Sequence, residues 1–285
     1  MYEKEIQLVE NLLESYPSNW SENYYNNKKT LKINKVSENL ICSRVKGSYD
    51  EINNIITIHE DESIIHELFH VCFRDEKKLN QVVLNNYCYS NGIALKSGEN
   101  KYGEALTEGF VEYLNRKIEV SKHYNFEYFI VDLLISIYGE DILKYPLTND
   151  IVGFYNDKRF FDITSLAYYL DLCLIYTRDI QIFVDCSSVI IKKETNEEKK
   201  KQQIKSNLKH IDKSLLELYK NIIKCLNIII KGYNECVHPK IDQYQFHLKV
   251  DEFMKNQDPI INLLEYKNYD INKKIEKSLK KIRRK

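Results

Sequence analysis

Eight glycines and 4 prolines punctuate a chain of 285 residues, and that scarcity limits how many tight turns the backbone can make. Few breaks mean long elements. The chain also carries 22 tyrosines and 11 phenylalanines within a total of 43% hydrophobic residues, too much apolar surface for a disordered chain and too few turn formers for a loop-rich or collagen-like one. The sequence therefore reads as a folded, mostly helical α+β protein.

Charge and cysteine usage narrow the partners. Forty-two basic and 42 acidic residues cancel to a formal net charge of zero, which removes the broad positive field of a nucleic-acid binder, so no nucleic-acid partner is expected. The seven cysteines, Cys42, Cys72, Cys88, Cys173, Cys186, Cys225 and Cys236, are scattered and never form a CxxC pair, so neither a disulfide framework nor a cysteine zinc site is expected. The first ten residues are charged and hold no apolar stretch of signal-peptide length. The most apolar long stretch, Leu166 to Ile191, is interrupted by Asp171, Arg178, Asp179 and Asp185, which would be costly in a bilayer, so it reads as buried helix and no transmembrane segment is expected. Together these features predict a cytoplasmic location and leave the oligomeric state open.

Hydrophobic periodicity sets out the elements. Ile6, Val9, Leu12 and Leu13 predict a short amphipathic helix that Pro17 ends. Short strands follow from Leu31 to Ile58, the clearest being Ile55-Ile56-Thr57-Ile58. A helix over about 62–74, capped by Asp61 or Ser63, comes next, and residues 81 to 103, with turn signals at Ser90-Asn91-Gly92 and Ser97-Gly98, predict an irregular or hairpin-like insertion. Helical pattern returns over 104–118, 126–143 and 160–184. Lys192 to Asn207 reads as a linker or the exposed start of a long helix, after which Ile204, Leu208, Ile211, Leu215, Leu218, Ile222, Leu226 and Ile229 recur at helical steps. The expected division is a first domain over 1–190 and a helical C-terminal extension over 191–285, packed on the core.

Within the helix at 62–74, His66-Glu67-Leu68-Phe69-His70 is an HExxH motif. Chance would produce this pattern in roughly one or two sequences per hundred of such length and histidine content. Histidines four apart share a helix face with their Cβ atoms about 5–6 Å apart, close enough for one cation to bind both imidazoles. Glu67 projects about 100° further round, where it can take a proton from water beside the metal without ligating it. Ile64, Leu68, Phe69, Val71, Cys72 and Phe73 fill an apolar arc that both histidines border, which puts the pair at the edge of the core. A hydrolytic zinc site wants three protein ligands and one open position. The helix at 104–118 offers Glu104, Glu108 and Glu112 at four-residue steps, a like-charged stripe that a bound cation would stabilise.

His66-Glu67-x-x-His70 followed by Leu106-Thr107-Glu108-Gly109-Phe110-Val111-Glu112-Tyr113-Leu114 resembles the gluzincin zinc metallopeptidases, and is most similar to small bacterial minigluzincin-type proteins. The resemblance covers about residues 50 to 118. It implies a zincin-like metallopeptidase core, a small β-sheet beside an active-site helix. It implies zinc held by His66, His70 and Glu108, Glu67 as general base, Glu112 as a carboxylate orienting a histidine, and a peptide or protein substrate along an edge strand at Ile55 to His59. The chain departs from the family at Thr107, where Asn is common, and in a longer interval from His70 to Glu108.

Such catalysis also needs a donor to the oxyanion, for which Tyr102, His123, Tyr124, Tyr138 and Tyr155 are candidates. His59 reads as structural, Cys72 as a small buried hydrophobe, Cys236 with His238 as a turn, and the basic stretch Lys273 to Lys285 as a solvated tail. The reading is a zinc-dependent peptidase; its alternative is a catalytically silent, zinc-stabilised regulatory protein that binds a partner.

Overall fold

The computed structural model describes residues 2–36, 46–84, 87–98, 100–120 and 124–255. It is an α+β arrangement dominated by helices, with two small sheets. Contacts divide the chain after Ala167, inside a long helix. Among the described residues, no helix is long and apolar enough to cross a membrane. The basic stretch after Asp270 lies outside the described residues.

The first unit opens with α1 (Glu3–Leu13) and α2 (Glu22–Lys28). A three-stranded sheet follows, built from β1 (Lys32–Lys35), β2 (Gly47–Asp50) and β3 (Ile55–Ile58) in the order β1-β3-β2. β3 is parallel to β1 and antiparallel to β2, with Ile56 paired to Ile33 on one side and Tyr49 on the other. This corrects the expectation for Ile55 to His59. The β-branched run forms the central strand, and β2 occupies the outer position beyond it. Its composition explains the placement, since Ile56 and Ile58 are fully buried and Ile55 and Thr57 half-buried, whereas Gly47-Ser48-Tyr49-Asp50 alternates toward solvent.

A 3-10 turn at Asp61–Ser63 leads into α3 (Ile64–Phe73). Ser63 does not cap it. The Ile64 N–H already bonds back to the Asp61 carbonyl within the turn, and the Ser63 hydroxyl donates to the Lys46 and Glu60 carbonyls at 3.0 and 2.8 Å. At the other end, the Asn27 amide of α2 donates to the carbonyls of Val71 and Arg74 at 2.9 and 2.7 Å, satisfying acceptors that the helix terminus leaves open. Leu68, Phe69, Val71 and Phe73 are completely buried, and α3 packs against α1, α2 and the sheet.

Four short strands, β4 (Val82–Leu84), β5 (Tyr87–Tyr89), β6 (Leu95–Ser97) and β7 (Asn100–Tyr102), pair as an antiparallel meander. It leads into α4 (Glu104–Asn115), which packs on α3, and then α5 (Asn125–Tyr138). The α4–α5 contact is close because Gly109 has no side chain: a Cβ there would lie 2.5 Å from the Glu127 carbonyl oxygen. Short helices α6 (Lys144–Leu147) and α7 (Ile151–Asn156) complete the unit. Between them Asn149, at φ 49°, donates through its amide to the carbonyls of Ser90 and Gly92 at 2.8 Å each and to that of Phe73 at 3.3 Å, tying the end of α3 to the β5–β6 turn.

In the second unit, α8 (Ile163–Lys193), which starts in the first, is followed by α9 (Glu197–Glu235) and α10 (Gln243–Lys255). The charged stretch after Lys192 is mostly the exposed start of α9, where the Asn196 side chain caps by accepting from the Lys199 N–H at 3.1 Å. Ile211, Leu215, Leu218, Ile222, Leu226 and Ile229 form its buried stripe. α8 and α9 also meet through a Ser214–Asp179 hydrogen bond and the parallel stacking of Phe183 on His210 at 4.8 Å.

Candidate metal centre

α3 and α4 bring their polar edges together because each buries an apolar arc beside them. Leu106, Phe110, Val111 and Leu114 are fully buried on α4, as Leu68, Phe69 and Val71 are on α3. Where the helices meet, His66, His70 and Glu108 each offer one ligand atom, and the three atoms lie within 4.8 Å of one another. This group can hold a metal ion. Glu108 is 8% exposed and Glu112 wholly buried, which rules out a solvated acidic face at these two positions. Glu104, only partly buried at the start of the helix, is not among the three.

The spacing suits a shared ion. His66 Nε2 lies 3.3 Å and His70 Nε2 3.5 Å from the same Glu108 Oε2, and ligand atoms at about 2.0–2.1 Å from a tetrahedral cation stand roughly 3.3–3.4 Å apart. Both imidazoles turn Nε2 toward Glu108 and leave Nδ1 for another partner. His66 Nδ1 lies 3.5 Å from Glu112 Oε2. His70 Nδ1 lies 3.4 Å from Asn91 Oδ1, and the Asn91 amide also donates to the His70 carbonyl at 2.7 Å. An acceptor at Nδ1 holds the proton there and leaves the Nε2 lone pair for a metal.

Asn91 is a residue that sequence reasoning missed as a site component. It sits in the Ser90-Asn91-Gly92 turn, which was legible as a turn, but it takes tertiary contacts to bring that turn to α3: the Asn149 bridge, the Gly92 N–H to Phe73 carbonyl bond of 3.2 Å and the Asn91 amide on the His70 carbonyl. Thr107 takes no part at the histidines. Its hydroxyl donates to the Gly103 carbonyl at 3.1 Å and accepts from the Ile93 N–H at 3.3 Å.

Electrostatics agree with the geometry. Burial works against a charged His66, but the hydrogen bonds to Glu108 and Glu112 and the charge of Glu67 outweigh it, and its pKa is pushed up to about 10. Burial likewise opposes ionisation of Glu108, yet the charge of His70 and the contacts with His66 and His70 hold that carboxyl well below its usual range. Taken alone, the protein groups thus form an anionic carboxylate that draws positive charge onto the His66 imidazole. A divalent cation supplies that charge in its place. Glu67 is 6% exposed, and burial raises its pKa despite the two histidines. The space for its carboxylate depends on Gly47 in β2, where a Cβ would lie 2.5 Å from Ser63 Oγ and 3.0 Å from Glu67 Oε1.

Of the proposed oxyanion donors, Tyr124 is placed at the site, its ring stacked on His66 at 5.4 Å and 13°. Tyr102 donates to the Thr164 carbonyl at 2.5 Å, Tyr138 packs edge-on against Phe160, and Tyr155 packs against Tyr102 and Phe154. His123 lies outside the described residues. His59 joins the sheet through its main chain, donating to the Lys46 carbonyl at 2.8 Å. Cys72 is buried on the apolar side of α3, its thiol donating to the Leu68 carbonyl at 3.3 Å. Comparison with known proteins gives no matching family model, no similar curated protein and no similar solved structure.

Proposed function

We propose that this chain is a zinc-dependent hydrolase, and within that class a peptidase resembling the gluzincins, with a zincin-like core formed by the β1-β3-β2 sheet and α3. The observation that carries the reading is the convergence of His66, His70 and Glu108 at ligand spacing with the buried carboxyl of Glu67 one position along the same helix. His66 and His70 would hold zinc through Nε2 and Glu108 through a carboxylate oxygen. When bound, zinc supplies Lewis-acid activation of water and of a carbonyl.

The chain's own groups do the rest. Glu67, its pKa raised by burial, takes the proton of the attacking water and hands it to the leaving amine, since a carboxyl poised closer to neutral accepts and returns a proton more readily. Glu112 and Asn91 keep the two imidazoles oriented. Tyr124, beside His66, is the group suited to donate toward the oxyanion. β2, outermost in the described strand order and adjacent to Glu67 through Gly47, offers an extended peptide a strand to pair with.

The test is hydrolysis of a broad peptide library by zinc-loaded protein, with Glu67→Gln alongside. The expected result is cleavage by the parent and a fall of about 10²–10⁴-fold in kcat for the variant, with zinc content unchanged. A zinc-loaded parent that cleaves nothing would overturn the peptidase reading and leave a structural metal.

A further inference from the structure

We infer that Arg116 is a positioning residue for the metal centre, a clamp that holds His66 from two sides by fixing Glu112 and the start of α5. The inference rests on the metal-centre reading and extends it to a residue that touches no ligand atom. Arg116 follows α4 by one position, and its Nε donates to Glu112 Oε1 at 2.8 Å. The other carboxylate oxygen, Oε2, is the one that faces His66 Nδ1 at 3.5 Å and accepts from the Asn115 amide at 3.3 Å. Glu112 is wholly buried, so an unpaired charge there would be costly. With Arg116 fixing one oxygen, the carboxylate cannot swing away from the imidazole.

The same guanidinium reaches the neighbouring helix. An Arg116 terminal nitrogen donates to Asn125 Oδ1 at 2.7 Å, and the group lies 3.9 Å above the Tyr128 ring. Asn125 is the first residue of α5, directly after Tyr124, whose backbone is left-handed at φ 45° and ψ 44°. A tyrosine in that region is strained and persists only where its surroundings hold it. Pinning Asn125 fixes the residue before it, and it is the Tyr124 ring that covers His66. The planar fork of arginine serves both jobs at once, which a lysine ammonium cannot do.

The test is zinc affinity of the full chain, measured by chelator competition, for Arg116→Met, Arg116→Lys, Glu112→Gln and the double variant Glu112→Gln/Arg116→Met, with the visible spectrum of each Co²⁺-loaded protein. Arg116→Met is expected to weaken zinc binding about 10- to 100-fold and to change the cobalt spectrum, with Arg116→Lys intermediate. In the Glu112→Gln background the further loss should be clearly smaller than in the parent, because only the α5 arm of the clamp is left to lose. A residue that only stabilises the fold would lower the melting temperature and leave the cobalt spectrum of the folded fraction unmoved. If Arg116→Met does not fold, Arg116→Lys is decisive in its place. Affinity within about twofold of the parent together with an unchanged spectrum, or an equal loss in both backgrounds, would overturn the clamp. A parent that takes up no zinc would instead overturn the metal-centre reading beneath it.

Discussion

His66 is held on every side that chemistry can use: Nε2 faces Glu108, Nδ1 faces Glu112, and Tyr124 and His70 pack against its ring. Its raised pKa, about 10, has two consequences. Metal binding must displace a proton from it at neutral pH, so affinity should rise with pH, and calorimetry in buffers of different ionisation enthalpy should record release of about one proton per ion. In metal-free protein, a folded pKa above the unfolded value of about 6.5 means that His66 adds stability at lower pH and loses it as pH rises through about 10. Glu108 works in the opposite sense. Its depressed pKa adds stability above the unfolded value of about 4.3, lost as pH falls through the lower folded value. Chemical denaturation of chelator-treated protein should therefore find these contributions fading at both extremes. Asn91→Ala removes the acceptor at His70 Nδ1 and should weaken zinc binding about 10- to 100-fold, read by chelator competition. Legible from helix spacing were His66, Glu67 and His70 on α3 and the stripe of Glu104, Glu108 and Glu112 on α4, from which the family resemblance, and not the spacing, picked Glu108 and Glu112. Asn91 and Arg116 were not legible, because a turn and a second helix bring their partners to them.

At the scale of elements, two glycines set clearances that no periodicity announces. Gly47→Val would drive a side chain into Ser63 and Glu67. The expected outcome is a kcat lowered at least about tenfold with zinc retained, since about 1.4 kcal/mol of lost transition-state stabilisation accounts for that factor; parallel kinetics and metal analysis check it. Gly109→Val would meet the Glu127 main chain, which cannot rotate away as a side chain can, and should cost about 1–3 kcal/mol of stability, read as a lower urea midpoint. The strand expectation failed at this scale for a plain reason. Pairing partners decide which strand is outermost, but the Ile55–Ile58 run carried a usable signal, being apolar on both faces as a central strand is. The meander at β4 to β7 was visible only as turns, because its three-residue strands are too short for an alternating pattern to declare itself.

For the molecule as a whole, the long helices follow from the scarcity of glycine and proline, and α9 runs 39 residues, its apolar stripe buried from Ile211 to Ile229 as the sequence spacing put it, with Ile204 and Leu208 only half-buried. The centre lies in the first unit, whose sheet, meander and helices each supply one part: Gly47 from β2, the histidines and Glu67 from α3, Asn91 from the β5–β6 turn, and Glu108 and Glu112 from α4. A ligand that joins several elements stabilises the native state by mass action, about 4 kcal/mol at a thousandfold excess over Kd, so chelation should lower the melting temperature by several degrees. The most direct measurement is anomalous diffraction at the zinc edge on crystals of the zinc-loaded protein. The account predicts one strong peak within about 2.0–2.2 Å of His66 Nε2, His70 Nε2 and a Glu108 carboxylate oxygen; zinc bound elsewhere, or none at saturating concentration, would contradict it.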